Sequence, residues 1–61
     1  MKLYEIQLPA RVFVTASDGS TYIDVDHLDG MYSFCRTEKG AIVHLAASAD
    51  LVPTAEGYVL S

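Results

Sequence analysis

Apolar residues occupy every second position at the start of the chain, which predicts a β-strand. The even-numbered positions from Tyr4 to Ala16 are all apolar or aromatic, whereas Glu5 and Arg11 lie between them. Side chains of a strand alternate between its two faces, so this period of two directs one apolar row toward a core. Because proline lacks the N–H that a central strand needs, we expect a bend or an edge at Pro9.

The segment from Ser17 to Ser20 predicts a two-residue hairpin turn. Its Asp18-Gly19 pair, placed between alternating runs, is a strong signal for a type I′ turn. The register that follows brings apolar side chains opposite apolar ones and a base opposite an acid, as a correct register should. The predicted pairs are Val14 with Ile23, Val12 with Val25, Phe13 with Asp24, and Arg11 with Asp26.

Two further loops share one design of three residues ending in glycine. They are Leu28-Asp29-Gly30 and Glu38-Lys39-Gly40, and they fit a type I turn followed by a left-handed glycine. They predict a meander of three strands, roughly 21–26, 31–37 and 41–46. The expected pairs are Val25 with Ser33, Ile23 with Cys35, Cys35 with Val43, and Ser33 with Leu45.

The C-terminal third predicts a short helical turn and a last strand. The alanine-rich segment 46–50 favours one helical turn, which Pro53 ends because the residue before a proline avoids helical backbone angles. Tyr58 to Leu60 then forms the final strand. The whole pattern indicates an all-β single domain over 1–61, a small five-stranded antiparallel barrel or strongly bent sheet, SH3-like or alternatively OB-like.

The tail also resembles the end of SH3 domains. In that family a proline after the fourth strand precedes a tyrosine-valine pair that opens the fifth, and this chain has Leu51-Val52-Pro53 followed by Gly57-Tyr58-Val59. The acidic-aromatic start of the family and its paired tryptophans are absent, since the chain has no tryptophan. The resemblance therefore implies a fold and not the recognition of polyproline peptides.

The predicted registers divide the side chains between two faces. The core face is expected to hold Val12, Val14, Ile23, Val25, Met31, Cys35, Val43 and Leu45. The other face is amphipathic, and its apolar members would form a contiguous patch of the kind that marks interfaces. Alternatively, curvature or a bulge draws Phe34 or Ile42 into the core. Besides Ile42, the second face holds the candidate binding residues Arg11, Phe13, Tyr22, Asp24, Asp26, Tyr32, Phe34, Arg36 and His44.

Charge favours a basic partner over a nucleic acid. The 61 residues include eight acids and four bases, which gives a formal net charge of −4. Half of the chain is apolar, so it should fold instead of forming a disordered acidic tail. Binding to a polyanion needs many Lys and Arg side chains, which this chain lacks. Four of the eight acids, Asp18, Asp24, Asp26 and Asp29, fall within twelve residues.

Catalytic, metal and cofactor sites are not predicted. Cys35 is the only cysteine, so it forms no disulfide within the chain, and with two histidines it does not complete a zinc site. The segment from Asp24 has glycine at its seventh position and Cys35 at its twelfth, which does not fit a calcium loop. Cys35 and His44 should point to opposite faces, which argues against a catalytic pair.

These observations predict a non-enzymatic, cytoplasmic protein-interaction module. Chains this short are often accessory or inhibitor proteins of phages and mobile elements, and this one would dock on a larger, basic partner. One alternative is a homo-oligomer that uses the same face to complete a small core. Another is a weak binder of single-stranded nucleic acid that stacks bases on its aromatic side chains. No apolar run approaches the roughly 18 residues of a membrane span, and no secretory signal pattern is present.

Overall fold

The chain forms one six-stranded sheet in a computed structural model that describes residues 1–16 and 19–61. Neighbouring strands are antiparallel except β1 and β6, which run parallel. The predicted all-β class is confirmed, but the sheet is mixed, has one strand more than expected and is not closed into a barrel. In the order β4-β3-β2-β1-β6-β5, the strands are β1 (Ala10–Ala16), β2 (Gly19–Asp29), β3 (Tyr32–Thr37), β4 (Ile42–Val43), β5 (Leu51–Thr54) and β6 (Gly57–Leu60).

The N-terminal segment is a turn and not the start of the first strand. Leu3–Glu5 forms one turn of 3₁₀ helix, and β1 begins at Ala10, directly after the proline that was expected to interrupt it. Leu3 and Ile6 are buried, whereas Tyr4 is exposed. Three residues make one turn of this helix, so the spacing of the two buried side chains suits it. The alternation over residues 4–8 was therefore a wrong indication of a strand.

The β1–β2 hairpin has a register two residues away from the predicted one. Ala16 pairs with Gly19, so this glycine belongs to the strand, and Arg11 pairs with Asp24 instead of Asp26. A shift by two keeps each side chain on its face, which is why the predicted faces survive the wrong pairs. The remaining pairs shift equally: Val12 with Ile23, Phe13 with Tyr22, and Val14 with Thr21. The predicted turn residues Ser17 and Asp18 lie outside the described residues.

A β-bulge in β2 changes the second hairpin. Val25 pairs with Cys35, His27 pairs with Phe34, and the register shifts between them, at Asp26. The strand continues to Asp29, which pairs with Tyr32, so the predicted three-residue loop from Leu28 is wrong. The predicted pairs of Val25 with Ser33 and Ile23 with Cys35 are wrong for the same reason. An extra residue in one strand reverses which of its later side chains face the core.

The third hairpin follows the prediction more closely. Cys35 pairs with Val43 as expected, and the Ser33 N–H donates to the Leu45 carbonyl oxygen over 2.9 Å. The connecting loop ends at Gly40, whose φ of 87° is the left-handed conformation that favours glycine. Regular pairing covers only Ile42–Val43, so the predicted strand over 41–46 is largely irregular.

The expected helical turn over 46–50 is a hydrogen-bonded turn and not a helix, with the Ala49 N–H donating to the Ala46 carbonyl oxygen over 3.0 Å, and the segment also pairs with the N-terminal segment. Leu3 N–H donates to the Ala49 carbonyl oxygen over 2.9 Å, and Tyr4 N–H donates to that of Ala47 over 3.0 Å. These bonds satisfy both carbonyl groups, which a helix could not do for Ala49 because the residue four positions further on is Pro53, which has no N–H. The chain then enters β5, which contains Pro53 and is an edge strand, a position that tolerates proline.

The core lies on the inner face of the sheet, against the N-terminal turn. Predicted core residues that are buried are Val12, Val25 and Cys35, while Met31 is 80% exposed at the tip of the second hairpin. Its core assignment is wrong because β2 runs three residues further than predicted. Apolar side chains half-buried against the core are Leu8, Ala10, Ile23, Leu28, Val43, Leu45, Ala49, Tyr58 and Leu60, and the buried set also includes Leu3, Ile6 and Leu51.

Candidate functional site

The opposite face of the sheet, called the outer face here, holds four rows of side chains that run across the strands. The rows follow from the observed pairing, because directly paired residues project on the same side of a sheet, except that His44 joins its row through a ring contact with Phe34. One row is apolar, one is charged, one is aromatic, and the last is mixed. In that order the rows are Val52-Val59-Phe13-Tyr22, Arg11-Asp24-Arg36-Ile42, His27-Phe34-His44 and Asp29-Tyr32-Ala46.

The charged row contains an ion pair between β1 and β2. Arg11 Nε donates to Asp24 Oδ1 over 2.8 Å, and Nη2 donates to Oδ2 over 3.2 Å, so the contact is bidentate. The Arg11 guanidinium also lies over the Tyr22 ring, with Cζ 3.9 Å from the ring centroid. We call these three residues the occupied Tyr/Asp site, because a guanidinium from the chain itself fills it.

The same ion pair changes the acid-base properties of both partners. The hydrogen bond from Arg11 lowers the pKa of Asp24 below its usual value, and the positive charge of the guanidinium adds to the effect while burial opposes it. Asp24 in turn raises the pKa of Arg11, again chiefly through the hydrogen bond. Both side chains are about half exposed, so solvent screens their attraction.

The aromatic row has Phe34 at its centre. The His27 ring stacks on Phe34 with centroids 5.1 Å apart and an interplanar angle of 14°, and the His44 ring meets it edge-on at 4.9 Å. His44 Nδ1 lies 2.8 Å from the Ser33 carbonyl oxygen, which only accepts, so this nitrogen is the donor. His27 Nδ1 lies 2.7 Å from a carboxylate oxygen of Asp26.

Two open cavities lie beside Phe34. One, of about 500 Å³, borders the charged row and includes Asp24, Arg36 and Ile42 in its lining. The other, of about 380 Å³, is lined by Asp29, Tyr32, Ser33, Phe34 and His44. Both volumes fall within the range of roughly 300–1,000 Å³ that is typical of ligand sites. Both sites are shallow depressions of the outer face that are open to solvent.

Most of the side chains proposed from sequence lie on this one face, but not in one cluster. Phe13 contacts Tyr22 edge-on at a centroid distance of 6.4 Å, and this pair is only half exposed. Tyr32, Phe34 and Ile42 are 60%, 39% and 51% exposed, so the alternative in which the latter two enter the core is excluded. The expected continuous patch is thus divided by the charged row.

The bulge adds His27 to the outer face beside Asp26, and both residues line the larger cavity. Asp26 is the bulge residue and binds the neighbouring imidazole, whereas His27 joins the outer face, where sequence reasoning did not place it. The signal was present in the apolar spacing, since Ile23 and Val25 are two apart but the next inward residue, Leu28, is three further on. Such a break in a period of two is what a bulge produces.

Cys35 and His44 lie on opposite sides of the sheet. The Cys35 side chain is buried, with Sγ 3.0 Å from Ser33 Oγ, whereas His44 belongs to the outer face. Within residues 1–16 and 19–61, no group of three or more His, Cys, Asp or Glu side chains is arranged to hold a metal ion. The contacts described on the outer face are aromatic ring contacts, hydrogen bonds and an ion pair.

Comparison of the chain with protein-family models, with curated proteins and with solved structures gives no match. Over the described ranges 1–16 and 19–61, no helix has the length and the apolar composition required to cross a membrane. The residues of the outer face and their geometry therefore provide the basis for a functional hypothesis.

Proposed function

We propose that this chain is a non-enzymatic protein-interaction module that docks on a basic surface of a larger protein. The observation that supports it is the exposed cluster of Tyr32, Phe34 and Ile42 beside two concave sites. Large apolar side chains grouped on a surface are typical of interfaces, and aromatic residues are frequent among those that dominate binding energy. An accessory or inhibitory role on a larger protein fits so small a chain.

Charge around this cluster supports a basic partner. The two cavities are lined by four carboxylates, and Arg36 is the only Lys or Arg among the described residues that line them. Lysine and arginine side chains on a partner would therefore meet complementary charge, which raises association rates and restricts orientation. The lining carboxylates are Asp26, Asp29 and Glu38, which have no Lys or Arg partner among the described residues, and Asp24, whose charge is offset by Arg11.

The contacts of the Lys and Arg side chains argue against the nucleic-acid alternative. Arg11 is held by Asp24, and Lys2 Nζ lies 2.8 Å from an Asp50 carboxylate oxygen, so each of these charges is already neutralised within the chain. Of the two arginines of the chain, Arg36 is the one without an ion-pair partner among the described residues. Sequence-independent binding to nucleic acid depends on several such contacts.

Site-specific photocrosslinking in the native host tests the proposal. A benzophenone amino acid replaces Ile42 within the exposed cluster, and in a matched control it replaces Gln7, which is exposed and outside the sheet. We expect an adduct from position 42 alone, formed with a protein rich in Lys and Arg. The adduct should weaken between about 0.05 and 0.5 M salt, because salt screens charge attraction, and it should disappear with Phe34→Ala.

Other outcomes would overturn docking on a basic protein. No adduct, equal adducts from both positions, or an adduct with an acidic protein would each reject it. An adduct of twice the chain mass would instead support the homo-oligomeric alternative. Because Phe34 is 39% exposed and lies on the outer face, the Ala variant should keep the dispersed amide spectrum of the parent, which verifies that the lost adduct reflects lost binding.

A further inference from the structure

The outer face contains two combinations of a tyrosine and an aspartate, and only one of them has a cation. In the occupied Tyr/Asp site, the Arg11 guanidinium lies over the Tyr22 ring and donates two hydrogen bonds to the Asp24 carboxylate. At the far end of β2, Asp29 pairs directly with Tyr32 across the hairpin. We call this second combination the open Tyr/Asp site.

The open Tyr/Asp site has the same chemistry without an occupant from the chain. Among the described residues, Asp29 has no hydrogen-bond or ion-pair partner, and the Tyr32 ring contacts no other aromatic ring. The tyrosine is 60% exposed, and both residues line the 380 Å³ cavity beside Phe34. The ring and the carboxylate are thus both accessible from solvent.

We propose that this cavity is a subsite for an arginine side chain of the partner protein, a refinement that rests on the docking function proposed above. The guanidinium stacks on the Tyr32 ring and donates two hydrogen bonds to the Asp29 carboxylate. The occupied Tyr/Asp site provides the template for both contacts within the same molecule. The docking face consequently selects a partner with an arginine at the centre of its basic surface.

The hydrogen-bond acceptors in the lining of the cavity favour a ligand group that only donates hydrogen bonds. His44 uses Nδ1 to donate to the Ser33 carbonyl oxygen, so the second ring nitrogen of the neutral imidazole is an acceptor. Asp29 is an acceptor when ionised, and no Lys or Arg is among the described residues lining the cavity. A guanidinium supplies five N–H donors in a plane and no acceptor.

Shape favours guanidinium over ammonium. The guanidinium is planar, stacks on aromatic rings and matches a carboxylate with two parallel hydrogen bonds, whereas the lysine ammonium is a compact and strongly hydrated point charge. Tyr32 pairs directly with Asp29 across the hairpin, and both line the cavity together with the apolar ring of Phe34. An arginine therefore uses both the ring and the acid at once.

Titration with three blocked tripeptides, followed by amide and aromatic NMR shifts, tests the subsite. The probes are acetyl-Gly-Arg-Gly-amide, its lysine counterpart and its citrulline counterpart, which keeps the shape of arginine but lacks the charge. We expect saturable shifts at Asp29, Tyr32, Phe34 and His44 with the arginine probe, weaker binding of lysine, and no saturation with citrulline. Because a hydrogen bond to a charged group contributes more than a neutral one, we expect Asp29→Asn to weaken binding of the arginine probe roughly tenfold.

A matched variant separates the subsite from a general charge effect. Asp26→Asn removes the same charge three residues away, from a carboxylate that binds His27 and does not line this cavity, and it should leave the arginine affinity within about twofold. Equal weakening by Asp26→Asn and Asp29→Asn would overturn the subsite. So would absence of saturable shifts, shifts outside the cavity, or binding of lysine or citrulline as tight as that of arginine.

The two proposals fail separately. A crosslinked basic partner together with no arginine binding would keep the docking face and reject the subsite. Saturable arginine binding in the cavity together with no adduct from position 42 would keep the subsite chemistry and reject docking on a protein. Amide spectra of Asp26→Asn and Asp29→Asn should remain those of a folded chain, because both side chains are exposed.

Discussion

On the β1 side of the outer face, Arg11 lies on Tyr22 and is held by Asp24, whereas on the β3 side Tyr32 and Asp29 stand together without a described base. The two regions use the same residue types in the same sheet. They differ in whether a cation of the chain itself contacts the tyrosine and the aspartate. One region therefore contributes to holding strands together, while the other leaves its polar and aromatic groups to solvent.

The difference separates stability from binding along one surface. Contacts of the occupied Tyr/Asp site join β1 to β2, so they form on folding and are absent from the unfolded chain. The side chains of the open Tyr/Asp site lie at the end of a hairpin. Among the described residues they make few contacts, so they contribute little to the stability of the folded monomer. Substitutions should accordingly affect folding in the first region and recognition in the second.

Gly57→Ala should have the largest effect, and it should act on the β1 side. A Cβ at Gly57 would lie 2.8 Å from the Arg11 carbonyl oxygen, and φ is 140°, which L side chains rarely adopt. Backbone strain of this kind costs about 1–3 kcal/mol, a large part of the roughly 3–5 kcal/mol that a core of this size supplies. Urea denaturation should show this loss in the free energy of unfolding.

Gly19→Ala is the matched control for this effect. Its φ of 130° is also unfavourable for alanine, but no atom of the described residues lies within 4 Å of the added Cβ. It should therefore destabilise the chain less than Gly57→Ala. Equal losses would mean that backbone conformation alone is responsible and that the close approach of β6 to Arg11 does not matter.

Exchange of each tyrosine for leucine compares the two regions directly. Tyr22→Leu removes the ring beneath the Arg11 guanidinium, so it should lower the free energy of unfolding by more than the roughly 0.5 kcal/mol typical of surface substitutions. Tyr32→Leu should stay within about 0.5 kcal/mol of the parent. Denaturation of the two variants under the same conditions measures both. Similar losses would contradict the division between folding and binding.

Acid should weaken the occupied Tyr/Asp site in a predictable direction. Arg11 lowers the pKa of Asp24 in the folded chain below the unfolded value of about 3.9. Its stabilisation is therefore complete above that value and is lost as the pH falls through the lower, folded pKa. Stability curves of the parent and Asp24→Asn should differ at neutral pH and converge in acid, as denaturation at several pH values would show.

The same measurement extends to the other aspartate. No described base contacts Asp29, so Asp29→Asn should cost less stability at neutral pH than Asp24→Asn. This is the smallest effect considered, because exposed ion pairs are screened by water and contribute little. A larger loss from Asp29→Asn would contradict the assignment of Asp29 to recognition.

Sequence periodicity was sufficient to assign faces, but not to assign pairs. The first register was wrong by two residues, and Val12 and Phe13 nevertheless lie on their predicted sides, because side chains repeat every two residues. The same property explains why Arg11 was expected to meet an aspartate and does, although a different one. Local pattern determines the face, whereas the turn determines the partner.

Long-range pairing could not be inferred from local pattern. The parallel contact between Val12 and Tyr58 joins the two ends of the chain, and no local signal encodes it. Leu3 enters the core through backbone bonds to Ala49, again between distant segments. The open Tyr/Asp site depends on the length of β2, which the glycine-based loop prediction set too short.

The bulge at Asp26 shifts the alternation of inward and outward side chains along β2 by one residue. Before it, odd-numbered side chains face the core, and after it Leu28 does, which puts His27 and Asp29 beside Phe34 and Tyr32. Deletion of Asp26 alone would restore a regular alternation of side chains along β2 without moving the strands that follow. The pairs on either side of the bulge, Val25 with Cys35 and His27 with Phe34, are those of a regular ladder, so what the extra residue adds is the Asp26 carboxylate beside the His27 ring. Insertion of one residue is thus a path by which a sheet of this size can gain a polar group on a recognition surface while keeping its core.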